Sequence, residues 1–415
     1  MTSHDLPDRV TVELDSAELG GPSTIGTLRR TRASGGSILA FAYDEAWIAR
    51  KDAFVIDPIH GLYAGDQWPS GGDVDRVFTD AATDRWGRTL MDRQEAVSAR
   101  TEKRPRRTLD EWEYLLGVSD LSRMGALRFR SPDGRYLDDD PVGVPPMARL
   151  PELVSAAREL ERPGRDGLKE LRDLAILLAP GSSLGGARPK ASFLAEDGSL
   201  WMAKFPSRND SRDMAACEWV LNELAAAAGI EVPEHRLLEL GRGHRTFAAR
   251  RFDRVSNTRR MYASAMTMLS RRDRESASYL DIALAIADHG ARAIIHEQLA
   301  AMFRRVVFNV LTAHRDDHLR NHGFLRTVEG WQLAPAFDLN PMPEKSEHEL
   351  AIDDAIHDGD IDLVLETAPF YRLSPVSAEV IVDEVRGALA SWPSVAKSKS
   401  LGRDEIEAIR EALDA

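Results

Sequence analysis

Short apolar runs separated by turn formers open the chain: RVTVEL, then Gly20-Gly21, then SILAFAY after Gly35-Gly36. Alternation of that kind over roughly the first 130 residues predicts a small β-rich unit. Helical material is expected within it at TDRWGRTLMDRQEAVSA, and DEWEYLLGVSDLSRMGALRF closes it. Three prolines in PVGVPPM (141–147) cannot lie inside a helix, so a boundary is expected there. Beyond it, LPELVSAARELE predicts a helix from Leu150, and KASFLA, Glu196-Asp197-Gly198 and SLWMAKF predict a hairpin. Cys217, Val220, Leu221, Leu224 and Ala228 form the apolar stripe of a helix that Gly229 is placed to end. EVPEHRLLELGRGHRTFAARRFDR reads as two further strands.

From there the period turns helical. Ile295, Leu299, Met302, Phe303, Val306, Val307, Val310 and Leu311 recur at helical spacing and predict a helix buried over a broad face. A hairpin, GFLRTVEGWQLAP, leads into AFDLNP; SAEVIVDEVRGALASW and RDEIEAIREALDA predict amphipathic helices. The expectation is an α+β protein in three parts: a β-rich 1–145, a 146–255 lobe with a glycine-rich loop, and a mainly helical 256–415.

Charge narrows the function. Lys plus Arg at 54 against Asp plus Glu at 67 gives a net charge of −13, which argues against a protein that coats nucleic acid unaided. The one cysteine, Cys217, excludes an internal disulfide framework and a cysteine-based zinc site. MTSHDLPDRV lacks a basic segment followed by an apolar one, and no run approaches eighteen apolar residues. A soluble, cytoplasmic protein with no membrane association is expected.

Candidate chemistry concentrates in TAHRDDHLRNHGFLR (312–326). His314, His318 and His322 fall at i, i+4 and i+8, which on a helix would share one face and, with Asp316 or Asp317, suit a transition metal. Gly323 and its loop-forming neighbours oppose three continuous helical turns. The same letters fit a second template. His314-Arg315-Asp316, four residues and Asn321 match the H-R-D-x-x-x-x-N loop in which an aspartate accepts the acceptor hydroxyl's proton and an asparagine holds magnesium. A solvated turn is the third reading. Asp338, 17 residues beyond Asn321 and across a hairpin, is a candidate second magnesium ligand, and equally a turn aspartate before Asn340-Pro341. Lys204 shares the apolar side of a strand with Leu200 and Met202 and calls for an anion; Glu218 on the next helix could hold it. Gly181, Gly185 and Gly186 in GSSLGGARPK permit close approach to phosphate, with Arg188 and Lys190 as cations.

These elements come in the order found in protein kinases. GSSLGGARPKA, AKFP, RRFDR, RDDHLRNHGF and AFDLNP, with FTDAATDRWGRTLMDR and DLSRMGALRF upstream, resemble the HipA family, the serine/threonine kinase toxins of bacterial HipBA-type modules. The resemblance implies a kinase-like bilobal fold and ATP with Mg2+ as cofactors. It makes Asp316 the catalytic base and Asn321 and Asp338 the metal ligands. His318, Leu319, Arg320, Asn321 and Phe337 would line the phosphate side, and Lys204 would be the ATP lysine. Gly185, Gly186, Ala187, Arg188, Pro189 and Lys190 would form the loop over the phosphates, and Arg250, Arg251 and Phe252 the adenine hinge. Ser183 matches the serine whose autophosphorylation silences the family's kinases; a phosphoserine would bring roughly −1.5 to −2 charge to the phosphate site.

Implied partners are a HipB-like helix-turn-helix antitoxin, operator DNA only through it, and a protein substrate, in family precedent an aminoacyl-tRNA synthetase. Two departures stand out. Arg250 occupies a hinge position that is often acidic, and Leu339-Asn340 follow Asp338 with no glycine. A kinase-shaped corepressor that no longer transfers phosphate is the alternative.

Overall fold

The computed structural model describes residues 6–33, 36–70, 72–138, 143–162, 174, 176–178, 186, 188–241, 243–256, 258–273 and 275–414. The chain forms two compact units, 1–208 with 253–263, and 209–252 with 264–415.

The first unit holds the alternating strands. Arg9–Leu14, Ser23–Ala33, Gly36–Tyr43, Asp66–Gln67 and Leu127–Arg130 make a five-stranded antiparallel sheet, with Arg9–Leu14 between Ser23–Ala33 and Leu127–Arg130. Val10, Val12, Leu14, Leu28, Leu39 and Phe41 are buried, as period-two alternation requires of a face turned to a core. Phe78, on the helix Arg76–Ala81, packs against Phe41 and Phe129 with ring centroids 5.4 and 6.2 Å away. The helix Arg85–Thr101 begins at an Asp84 cap and Glu111–Leu116 at a capping box between Asp110 and Glu113. Downstream, Lys190–Leu194 and Leu200–Lys204 pair as the expected hairpin, turning at Asp197-Gly198 with Gly198 at φ +76°.

A charged network closes this unit. Arg123 is fully buried and donates to the carbonyls of Ala81 (2.8 Å), Leu115 (2.6 Å) and Val118 (2.9 Å). The chain returns to the unit at Asp253, whose carboxylate accepts from the Gly125 amide (2.8 Å) and from Arg254. Arg254 in turn reaches the Arg123 carbonyl at 2.8 Å, and Arg259 reaches the Asp120 carbonyl at 2.6 Å. Thus DLSRMGALRF and the end of RRFDR are one structural element, joined because a buried guanidinium must spend its donors on acceptors.

The second unit is mainly helical. Its central helix, Ile295–Leu311, lies against Tyr279–His289 and Pro375–Leu389. Leu299, Met302, Phe303, Val306, Val307 and Val310 are buried, whereas Ile295 and Leu311, at the ends of the expected stripe, are half-buried. Met214–Ala227 is buried on nearly every side, Glu218 and Asn222 included, because Pro375–Leu389, Trp392–Ser398 and Arg403–Asp414 all pack on it. Gly229, at φ +76°, follows its end. Hairpins His235–Leu238 with Thr246–Arg250 and Gly323–Arg326 with Trp331–Leu333 complete the unit. Among the described residues no helix is long and apolar enough to cross a membrane.

Candidate active site

The buried helix Ile295–Leu311 delivers the candidate loop. Thr312 caps it with its hydroxyl on the Phe308 carbonyl (2.8 Å), and Ala313, at φ +46°, reverses the chain. The His314 amide bonds to the Asn309 carbonyl at 2.9 Å. From His314 the backbone runs as a loop with one short turn, Leu319–Asn321, so the three histidines do not share a helical face.

Two adjacent aspartates take opposite roles in this loop. Asp317 is buried, and its Oδ2 accepts from Asn309 Nδ2 (2.7 Å), His322 Nε2 (2.7 Å) and Tyr279 Oη (2.9 Å). Burial alone would raise its pKa, but charge and hydrogen bonds from His322, with His314 and Tyr279 adding, hold the carboxyl well below the usual carboxylate range. Asp316, by contrast, is exposed. Its Oδ1 accepts from Lys345, and its Oδ2 has no partner among the described residues. His314 Nδ1 lies 2.8 Å from the Asn340 carbonyl, while His314 and His322 both face Asp317. Among the described residues no three of histidine, cysteine, aspartate and glutamate gather as metal ligands, because these histidines are spent on holding the loop.

Asn321 is buried and directs Nδ2 to the Asp316 carbonyl at 3.4 Å. Its Oδ1 is buried with no hydrogen-bond partner among the described residues. A buried carbonyl oxygen left unpaired costs free energy of about 1–3 kcal/mol unless something binds it. Asp338 follows the hairpin in a left-handed conformation (φ +63°), with Asn340 Nδ2 3.1 Å from both its carbonyl and its carboxylate. The Ala336 amide bonds to the Glu231 carbonyl at 2.7 Å, and that of Ala334 to Gly323 at 2.8 Å, tying the approach to Asp338 on both sides. Asn321, Asp317, Phe337 and Leu339 line one cavity of about 10 Å³, room for about one water. Arg305 lines it too; it is fully buried on the Ala334 carbonyl (2.6 Å), and burial lowers its pKa to about 10. The unpaired amide oxygen of Asn321 and the carboxylate of Asp338 would supply oxygen donors alone, which suit magnesium rather than a softer metal.

The other expected residues divide between the units. In the second, the hinge candidates continue the strand Thr246–Arg250. The Arg250 amide bonds to the Glu234 carbonyl at 2.8 Å and its exposed guanidinium lies 3.5 Å from the Glu234 carboxylate; Arg251 is buried, and Phe252 stacks obliquely on Phe337 at 5.3 Å. Leu319 is buried, His318 is half-buried, and Arg320 pairs with Asp273 at 3.1 Å. In the first unit, Lys204 ends its strand half-buried, directly across the hairpin from Lys190. Lys190 is buried, its ammonium 3.1 Å from Asp84 and 3.2 Å from the Gly186 carbonyl. Trp86 also donates to that carbonyl, at 3.3 Å, so the start of Arg85–Thr101 grips Gly186, which needs to be glycine at φ +73°. Arg188 is half-buried, and the Pro189 carbonyl accepts from Phe205 at 2.8 Å. Gly181, Ser183, Gly185 and Ala187 lie outside the described residues.

Sequence reasoning passed over Asn309, Tyr279, Arg305 and Lys345, and weighed Asp317 only as a transition-metal ligand. Two carried a signal: Arg305 and Asn309 are polar residues inside the apolar period of Ile295–Leu311, where only a paired polar group is tolerated.

A family model, the HipA-like C-terminal domain, matches residues 182–392. No curated protein matches the chain. Among solved structures it is similar to HipA of Shewanella oneidensis MR-1, solved with HipB and its operator DNA. The TM-score is 0.66 at 16% identity, over 98% of this chain and 96% of that one. A second structure, the proinflammatory kinase CtkA of Helicobacter pylori, aligns at a TM-score of 0.33 and 16% identity, over 52% of this chain and 94% of its own; a score that low carries no weight. The first likeness concerns the fold, an α+β architecture shared along nearly the whole chain.

Proposed function

The chain belongs to the HipA-like family, and from that premise we propose that it is an ATP- and magnesium-dependent serine/threonine protein kinase, the toxin of a toxin–antitoxin module. The observation that carries the reading is the pairing of an exposed Asp316, with one carboxylate oxygen open, and a buried Asn321 whose Oδ1 lacks a partner among the described residues. In this reading Asp316 takes the proton of the acceptor hydroxyl as its oxygen attacks the γ-phosphorus. Asn321 Oδ1 and the Asp338 carboxylate would hold magnesium, which when bound neutralises charge on the phosphates. Asp317, fixed by Asn309, Tyr279 and His322, keeps the loop in place so that its neighbour faces outward. Lys204, Gly186 and Arg188 are proposed as the phosphate contacts of the first unit, and Arg250 to Phe252 as the adenine contact.

The Shewanella protein was solved with HipB and operator DNA, and a HipB-like antitoxin that carries DNA contact is the corresponding partner here. An acidic chain of net charge −13 suits a protein that meets DNA through another. A protein substrate in the cytoplasm, of the aminoacyl-tRNA synthetase type, and self-inactivation at Ser183 complete the proposal. Incubation with labelled ATP, magnesium and cell extract tests it: wild type is expected to label a protein or itself, and Asp316→Asn to label neither. Equal labelling by both, or none by either, would overturn it. Intact mass before and after phosphatase checks Ser183.

A further inference from the structure

The segment after Asp338 is stitched to the candidate catalytic loop along its length. The Met342 amide bonds to the Ala313 carbonyl at 2.9 Å, and the Glu349 amide to the Arg315 carbonyl at 3.0 Å. Arg315 Nη1 donates to the carbonyls of Pro343 (3.2 Å) and Lys345 (2.5 Å), and the Lys345 amide closes a turn on Met342 at 3.1 Å. These bonds fix the backbone of Lys345 beside Asp316, and its ammonium meets Asp316 Oδ1. The composition around it is one-sided. Between Arg326 and Arg372 the chain carries eleven acidic residues (Glu329, Asp338, Glu344, Glu347, Glu349, Asp353, Asp354, Asp358, Asp360, Asp362, Glu366) and Lys345 as the single lysine or arginine. A lone cation in an acidic stretch, with its main chain bound to the loop it faces, is a placed charge.

We propose that Lys345 is the positioning residue for Asp316 in phosphoryl transfer, a role that rests on the kinase reading above. A carboxylate has two oxygens and can accept on both. Lys345 occupies Oδ1, which turns Oδ2 toward the acceptor and restricts the carboxylate to one orientation. Its positive charge also offsets the repulsion between Asp316 and the anionic phosphates. In the step, the acceptor O–H proton goes to Asp316 Oδ2 and the acceptor oxygen forms a bond to the γ-phosphorus. The bond from that phosphorus to the bridging oxygen breaks, and ADP leaves with the electron pair. Lys345 gains and loses nothing; it holds the base.

Steady-state phosphorylation with Lys345→Met and Lys345→Arg tests this against wild type and Asp316→Asn. Lys345 is partly exposed, so both variants are expected to fold and to bind MgATP by calorimetry as wild type does. Lys345→Met is expected to lower kcat roughly 10- to 100-fold, less than loss of the base itself, with KM for ATP within about threefold. Lys345→Arg is expected to recover most of that loss, because charge is what acts. Wild-type kcat in Lys345→Met would overturn the inference, as would an arginine variant as slow as the methionine one, or a change confined to KM. Those results leave the kinase reading standing; a wild-type protein that transfers no phosphate to any acceptor overturns both.

Discussion

The charged cluster of the first unit and the loop of the second are both polar chemistry in a folded interior, yet they are built in opposite senses. Around Asp120, Arg123, Asp253, Arg254 and Arg259, cations are turned onto backbone carbonyls and carboxylates inside the unit. In the loop after Ile295–Leu311, acceptors are left open: Asp316 Oδ2 and Asn321 Oδ1 find no donor among the described residues. The first arrangement pairs most of the guanidinium donors that burial would otherwise penalise, though not every one of them, so its return is stability. The second holds one buried amide oxygen and one exposed carboxylate oxygen in place without a protein donor among the described residues, which leaves both open to a ligand or to water. A polar cluster is therefore read by what it leaves unpaired, more than by how many charges it contains.

Substitutions on the two sides should separate these senses. The largest effect is expected from Asp316→Asn: phosphate transfer falls about 10²- to 10⁴-fold, while the denaturant midpoint stays near wild type because the side chain is exposed. Next door, Asp317→Ala is expected to do the reverse in the first instance. It strands Asn309, Tyr279 and His322 and lowers unfolding free energy by about 3–5 kcal/mol in urea titrations. In the closed network of the first unit, Arg123→Met removes donors from three carbonyls and is expected to cost a similar 2–4 kcal/mol. Here MgATP binding should survive at temperatures where the fold does; loss of binding in a folded variant would break the comparison.

A smaller effect should appear with pH. Burial, the largest cause, lowers the pKa of His348 from 6.5 to about 4. The folded state favours the neutral ring, so its stabilising contribution is whole above pH 6.5 and declines as pH falls toward 4. Over that window wild type should lose up to roughly 3 kcal/mol at this site, and His348→Leu should flatten the slope. The smallest change is expected from Ser278→Ala. It removes one side of the capping box on Tyr279–His289 and should lower stability by about 1 kcal/mol, with transfer activity nearly unchanged.

Much of this was legible before any fold. Period-two runs located the strands of the first sheet, Gly198 and Gly229 marked a turn and a helix end, and the spacing from Asp316 to Asn321 to Asp338 named the loop and the residue beyond its hairpin. Local sequence suffices where the signal is a backbone preference or a face repeated every few residues. It was mute where the signal is a partner far along the chain. Lys190 gives no sign in the sequence of its ion pair with Asp84, 106 positions earlier. That Glu218 is buried follows from three further helices packed on its own, which no neighbouring residue announces. Past the three residues expected as a hinge, Asp253 and Arg254 belong to the element built on DLSRMGALRF, which their neighbours in sequence do not announce.

The pair Asp316-Asp317 draws the line most sharply. Sequence determined that a loop of histidine, arginine and aspartate with a distant asparagine ends a buried helix, because helix period and loop formers are written in neighbouring residues. Which aspartate turns inward and which outward was decided by Tyr279, Asn309 and His322 on one side and Lys345 on the other. Motif spacing singles out Asp316, but no local rule says which of the two side chains is buried. Only the dielectric and the hydrogen-bond partners that packing supplies can make one an anchor and leave its neighbour facing solvent.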